Sequence, residues 1–264
     1  MGLFKALFGK SELPKKQEVK PTPKPAAEEY DFNDGLQYMS VREKEDSPEK
    51  WRLMLKFAEH GDEIALYEVG EAYMLDGPMV KRDDKMAEKY LLASVEKGMV
   101  AQGNIRLGQL YLRNSVDVYP KDNAPMSEEE EKAANKEFVR RYKVGAAYMV
   151  EALQGRNLMY VEQAIEMIAG TIHLGYNVGD IRDFFMKFIN LTLPGAVKKI
   201  EEQAASEDSH EASAAWYKLG CLYLYGVHYE DDLDEAKACF EKSLALNQWN
   251  TDAKMALQNP LFED

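Results

Sequence analysis

YEVGEAY, residues 67–73, returns along the chain as IRLGQLY at 105–111, YKVGAAY at 142–148 and YKLGCLY at 217–223. Each copy places an aliphatic residue before a glycine and a tyrosine three residues after it. The glycines Gly70, Gly108, Gly145 and Gly220 are separated by 38, 37 and 75 residues, the last close to two periods. Self-similarity at that spacing, in a chain of helical composition, marks stacked helix pairs. Glycine in a helix interior costs about 1 kcal/mol relative to alanine. A second helix that approaches closely where the side chain is missing offsets that cost. The tyrosine lies about one turn further along the same face and covers the seam.

Outward from these segments the helical pattern continues. Ser47-Pro48 reads as an N-cap followed by proline at the first helical position. From there almost to the end, Ala, Leu, Glu, Lys and Met recur and nothing alternates with period two for long enough to make a strand. In DDKMAEKYLLASVEKG, residues 83–98, Asp83 or Asp84 caps a second helix. Ala87, Tyr90, Ala93 and Ser94 line its inner face, and Gly98 closes it. Gly77 and Gly226 are the expected stops of first helices. SVDVYPKDNAPM, residues 115–126, reads as a loop insertion. Residues 127–154 after it read as one long second helix, unless a break ahead of Tyr142 makes YKVGAAY the first helix of another repeat. EEEEK at 128–132 is a solvated helix start that suits the helix dipole, rather than a catalytic carboxylate pair. The expected fold is all-α, an α-solenoid of antiparallel helix pairs over residues 47–258. Repeats are clear at 62–98 and 212–247 and degenerate over 99–211, and 259–264 form a tail.

This arrangement closely resembles the Sel-one-like repeat, a branch of the tetratricopeptide superfamily. Residues 65–98 match its pattern through Ala65, Val69, Gly70, Tyr73, Asp84, Ala87, Tyr90, Ala93, Ser94 and Gly98, with Lys85-Met86 standing in for the family's Lys-Ala. The last unit matches through Leu219, Gly220, Tyr223 and Gly226. Its second helix, with Ala236, Phe240, Ser243 and Leu244, looks like the parent tetratricopeptide form. The resemblance implies a concave face, lined by first helices, that binds a protein partner. Counted from each glycine, it places Tyr67, Glu71, Met74, Gln109, Leu112, Arg113, Tyr217, Leu224 and Tyr225 on that face. The other reading of these residues is packing between neighbouring units.

The chain opens differently. In MGLFKALFGK, residues 1–10, Leu3, Phe4, Leu7 and Phe8 share one helical face beside Lys5 and Lys10. The two lysines break the run of about 7 to 15 apolar residues that a secretory signal needs. Residues 11–46 read as a Pro/Lys-rich, largely disordered linker, in which Tyr30, Phe32, Leu36, Tyr38 and Met39 are candidates to dock on the folded body. Six Lys and two Glu in residues 1–25 make the opening basic and, within a net charge of −13, leave −17 on the remainder. An acidic body repels phosphate backbones, so nucleic acid is not the expected ligand.

Chemistry-bearing constellations fail on spacing. Cys221 and Cys239 are too few for a disulfide framework and read as buried thiols of a reducing compartment. His60, His173, His210 and His228 are scattered, without metal-ligand spacing. No phosphate loop or nucleophile–base pattern stands out. The expectation is a non-catalytic scaffold or adaptor in the cytoplasm, binding a protein partner, with no cofactor, metal or small-molecule substrate. The alternative is a membrane-surface tether acting through Leu3, Phe4, Leu7 and Phe8, with neighbouring lysines attracting anionic headgroups.

Overall fold

The computed structural model describes residues 30–77, 79–120, 124–173 and 180–262. Among them the regular structure is α1 (Gly35–Arg42), α2 (Pro48–Glu59), α3 (Glu63–Met74), α4 (Asp84–Glu96), α5 (Val100–Val116), α6 (Glu128–Ala152), α7 (Leu158–His173), α8 (Asp180–Ala204), α9 (Ser209–Leu224), α10 (Leu233–Leu246), α11 (Thr251–Ala256) and a short 3-10 turn at Pro260–Phe262. Short polar side chains start most of these helices by accepting the orphan amides of the first turn. Asp34, Ser47, Asp62, Asp83, Ser127, Asp208, Asp232 and Asn250 cap α1, α2, α3, α4, α6, α9, α10 and α11. At α6 the cap is reciprocal. Ser127 accepts from the Glu130 amide, the Glu130 side chain accepts in return from the Ser127 amide, and Glu128 to Glu131 fill the first turn.

Glycines with positive φ turn the chain out of α2, α4 and α9: Gly61 at +88°, Gly98 at +121° and Gly226 at +60°. Gly77 behaves otherwise. Helix α3 stops at Met74 with Leu75 extended, and the Gly77 amide instead closes a turn on the Val80 carbonyl at 3.0 Å.

The helices pair antiparallel. In α3/α4, Gly70 meets Leu91 while Tyr73 stacks on Tyr90. In α5/α6, Gly108 meets Met149 while Leu112 meets Gly145. In α9/α10, Gly220 meets Phe240 while Ser213, near the start of α9, bonds Ser243, near the end of α10. YKVGAAY therefore belongs to the second helix of its pair, inside the unbroken α6, and Gly145 is the counterpart of Gly108 rather than another copy of it.

First helices also pack on first helices, α3 on α5, α5 on α7 and α7 on α9, while α6 packs on α8. Helices α7 and α8 thus carry the two layers onward without the glycine motif. Side chains from α5, α6, α7, α8, α9 and α10 share one apolar core, including Ile105, Met149, Ile165, Val197, Leu222 and Phe240. This is the all-α solenoid of helix pairs that the repeat period requires.

Two boundaries need correction. Within the stretch read as linker, residues 35–42 form α1, with Tyr38 and Val41 fully buried. Tyr38 packs on Phe57, and its hydroxyl donates to Glu68 at 2.6 Å. Phe32 also packs on Phe57, whereas Leu36 and Met39 stay exposed. At the other end the supposed tail contains Phe262, set edge-on against Phe240 at 6.0 Å. Short segments with one or two apolar anchors carry too little periodicity to be seen in sequence, yet they cover the ends of the core. Residues 1–29 lie outside the described residues.

A Cβ at Gly70 would stand 2.8 Å from Leu91 Cγ and 3.0 Å from the Leu91 backbone nitrogen, whereas one at Gly195, in α8, would meet nothing within 4 Å. Gly70→Ala is expected to destabilise the fold by about 1–3 kcal/mol through overpacking. Gly195→Ala is expected to stabilise it by up to about 1 kcal/mol through helix propensity. Urea midpoints of the two variants check both signs.

Candidate partner-binding face

The first helices α3, α5, α7 and α9 carry a ladder of phenols, carboxylates and one guanidinium. Arg106, in α5, donates from Nε to the Tyr67 hydroxyl at 3.1 Å and from Nη1 to Gln109 Oε1 at 2.8 Å, and it pairs with Glu71 of α3. The Tyr67 hydroxyl also lies 3.4 Å from that of Tyr160, in α7. Two and six residues further along α7, Glu162 accepts from Tyr217 at 2.5 Å and from Tyr225 at 3.1 Å, and Glu166 accepts from Tyr225 at 2.9 Å. Hydrogen bonds involving charged groups of this kind are stronger than neutral ones and fix geometry. Glu71 and Arg106 keep 32% and 26% of their side-chain surface exposed, so the ladder still meets solvent.

Burial decides the protonation of Tyr67, Tyr217 and Tyr225. It raises Tyr67 well above the ordinary tyrosine range, with Tyr160 and Glu71 adding to the effect. Tyr217 is raised by burial and then by Cys221 and Glu162, and Tyr225 by burial and then by Glu166 and Glu162. All three stay protonated as donors through neutral and moderately alkaline pH.

The nine residues placed on the face by resemblance divide. Glu71, Gln109 and Tyr225 lie half-exposed on the ladder. Tyr67 and Tyr217 belong to it through their hydroxyls, but the two residues are only 6% and 2% exposed. Met74, 7% exposed, lies in the core shared by α3, α4 and α5. Leu112 packs on Gly145. Arg113 turns to the junction of three helices, donating to the Met74 carbonyl at 2.7 Å and to Asp84 at 3.1 Å, with its Nε buried and unbonded. Leu224 packs, half-buried, against the main core. The expectation that Tyr67, Met74, Leu112, Arg113 and Tyr217 open onto a groove is therefore corrected. These side chains join neighbouring helices. Leu3, Phe4, Leu7 and Phe8 lie outside the described residues.

Sequence reading missed Arg106, Tyr160, Glu162 and Glu166. A signal for the first was present: every copy of the motif carries a charged residue two before its glycine, namely Glu68, Arg106, Lys143 and Lys218. Three of these tie their helix to an earlier part of the chain. Glu68 accepts from Tyr38 and pairs with Arg42 of α1 at 2.6 Å. Arg106 reaches back to α3. Lys218, 4% exposed, donates to the carbonyls of Leu153 and Gly155 beyond the end of α6, at 3.0 and 2.9 Å. Burial pushes its ammonium down to about 8, against a pull upward from Glu211.

Among the described residues no three His, Cys, Asp or Glu side chains are grouped to hold a metal ion, and no helix is long and apolar enough to cross a membrane. Cys221 and Cys239 are both buried, and burial raises both thiols, Cys239 to about 11. The chemistry available on the ladder is hydrogen bonding and charge.

No protein-family model and no curated protein matches the chain. Among solved structures it is similar to a Sel1 repeat protein from Oxalobacter formigenes, at 18% identity over 84% of each chain with a TM-score of 0.25. A score that low carries no argument, and the helix-pair fold stands on the packing of this chain alone.

Because Tyr217 is a core side chain, Tyr217→Ala is expected to cost about 3–5 kcal/mol of stability, as large aromatic truncations do. Tyr225→Ala, half-exposed, is expected to cost less than half as much. Thermal melts of the two variants, followed by far-ultraviolet circular dichroism, check the order.

Proposed function

We propose that the chain is a non-catalytic scaffold that binds a protein partner along the α3–α5–α7–α9 face. One observation carries the reading: polar groups from four successive first helices form two partly exposed clusters, Tyr67, Glu71, Arg106 and Tyr160 across α3, α5 and α7 and Glu162, Glu166, Tyr217 and Tyr225 across α7 and α9, each of these side chains bonded to one from a neighbouring first helix or its end. Rigid side chains that keep unused hydrogen-bonding capacity lose little entropy on binding, which suits recognition. Stacked helix pairs supply the extended surface on which repeat proteins bind their partners. The contact set narrows to Glu71, Arg106, Gln109, Tyr160, Glu166 and Tyr225. A peptide or domain presenting both donors and acceptors is the matching chemistry, because the ladder displays both.

A second reading rests on MGLFKALFGK, where Leu3, Phe4, Leu7 and Phe8 beside Lys5 and Lys10 form an amphipathic segment with affinity for an anionic membrane surface. It is compatible with the first.

Affinity capture from the native cell, with mass spectrometry, separates them. The chains compared are the full chain, the full chain with Glu71→Lys and Glu166→Lys, and a chain starting at Tyr30 so that α1 stays whole. The scaffold reading expects one protein partner to be recovered with the full chain and the Tyr30 chain and to be lost, by about tenfold or more, with the charge-reversed chain. Unchanged recovery with the reversed charges overturns the face. Loss of recovery and of membrane co-fractionation in the Tyr30 chain alone transfers the role to the opening segment.

A further inference from the structure

Helices α8, α9 and α10, with the α9–α10 connection, line an open pocket of about 510 Å3 whose walls share no residue with the ladder. Its walls combine the rings of Trp216, Tyr223 and Tyr229 with the carboxylates of Glu201 and Glu235. The tyrosine rings stack with centroids 4.4 Å apart and planes 13° apart. The Tyr229 hydroxyl donates to Glu201 at 2.6 Å, and Trp216 Nε1 donates to the Ala204 carbonyl at 3.1 Å, so these rings are anchored at their polar ends. Lys242 also lines the cavity and holds its ammonium 3.6 Å from the centroid of the Trp216 ring. The pocket thus already accepts one ammonium on an aromatic face, the arrangement that attracts cations through the ring quadrupole.

The charge around it is unbalanced. Among the described residues neither Glu201 nor Glu235 is in an ion pair. The adjoining stretch YEDDLDE, residues 229–235, adds further carboxylates. One lysine ammonium therefore stands beside several uncompensated negative charges, and the side chain that carries it is long and exposed. We propose that this pocket binds a lysine side chain from a basic segment of a protein partner, with Trp216, Tyr223 and Tyr229 as walls and Glu201 and Glu235 as counter-charges. The incoming ammonium displaces Lys242 from the Trp216 face. The acidic body steers such a segment toward the site. The pocket and the ladder use different side chains, and the pocket is tested with a defined peptide, so either site can fail without the other.

The test is fluorescence anisotropy of the full chain with a labelled lysine–glycine peptide and with the same peptide acetylated at every lysine Nζ. The proposal expects the lysine form to bind at least about tenfold more tightly than the acetylated one, and Glu235→Gln and Trp216→Leu each to weaken binding severalfold, in the range of a desolvated cation–π or charge contact. Lys242→Leu is expected to tighten binding severalfold. Lys199→Leu, an equal change of charge on α8 outside the pocket, is expected to leave it nearly unchanged. Glu235 and Lys242 are exposed, so their substitutions keep the test readable even where Trp216→Leu disturbs folding. Equal binding of the acetylated peptide, absence of binding, or equal tightening by Lys199→Leu and Lys242→Leu overturns the proposal, the last by assigning the attraction to diffuse charge.

Discussion

The approach of two helices at a position without a side chain is the contact on which the rest of this structure depends. At Gly220 a Cβ would fall 2.5 Å from the Phe240 ring, and at Gly108 and Gly145 each glycine's Cβ would come within 3.1 Å of the other's carbonyl oxygen. Backbones this close bring the flanking side chains into register, so that Tyr73 stacks on Tyr90 and Ser213 bonds Ser243. The helix-propensity penalty of each glycine is the cost of the geometry, and the buried area on both sides of it outweighs that cost. With the pairs set, first helices are brought side by side, and the ladder of Tyr67, Arg106, Tyr160, Glu162 and Tyr225 can form between them.

Polar bonds then specify how one pair sits on the next. Apolar contact alone is tolerant of small slips, whereas a phenol or ammonium buried without its acceptor is costly. Glu68, Arg106 and Lys218 occupy the same place in their motifs and solve this in three ways: a carboxylate receiving a phenol, a guanidinium bonding a phenol and a carboxylate, and an ammonium bonding backbone carbonyls. In these three copies the same position joins the helix to an earlier segment, while the chemistry that fills it changes with the neighbour. The same economy links stability to recognition, since the groups that hold adjacent first helices together are those that remain partly open to solvent.

How much of this was legible follows from the range of each signal. The glycine–tyrosine spacing, the caps at Ser47 and Asp83 and the single helix after Ser127 are short-range patterns, and the structure contains all of them. α1 was hidden because its burial rests on Tyr38 and Val41 meeting α2 and α3, which no local period reports. The direction of individual side chains was the weakest inference. Tyr67 and Tyr217 project from the expected helix face but end between helices, because the neighbouring first helices stand close enough to cover their rings. Glu162 and Glu166 belong to a helix without the glycine motif, so nothing in the repeat pointed to them.

The close approach itself is tested most directly by a double-mutant cycle at Gly220 and Phe240, read as unfolding free energy in urea. If the glycine exists to admit that ring, Gly220→Ala destabilises the native chain but costs much less when Phe240 is already Leu, with a coupling energy on the order of 1 kcal/mol or more. Additive effects, with coupling near zero, would contradict the account, because the missing side chain at Gly220 would then have no bearing on how α9 and α10 pack.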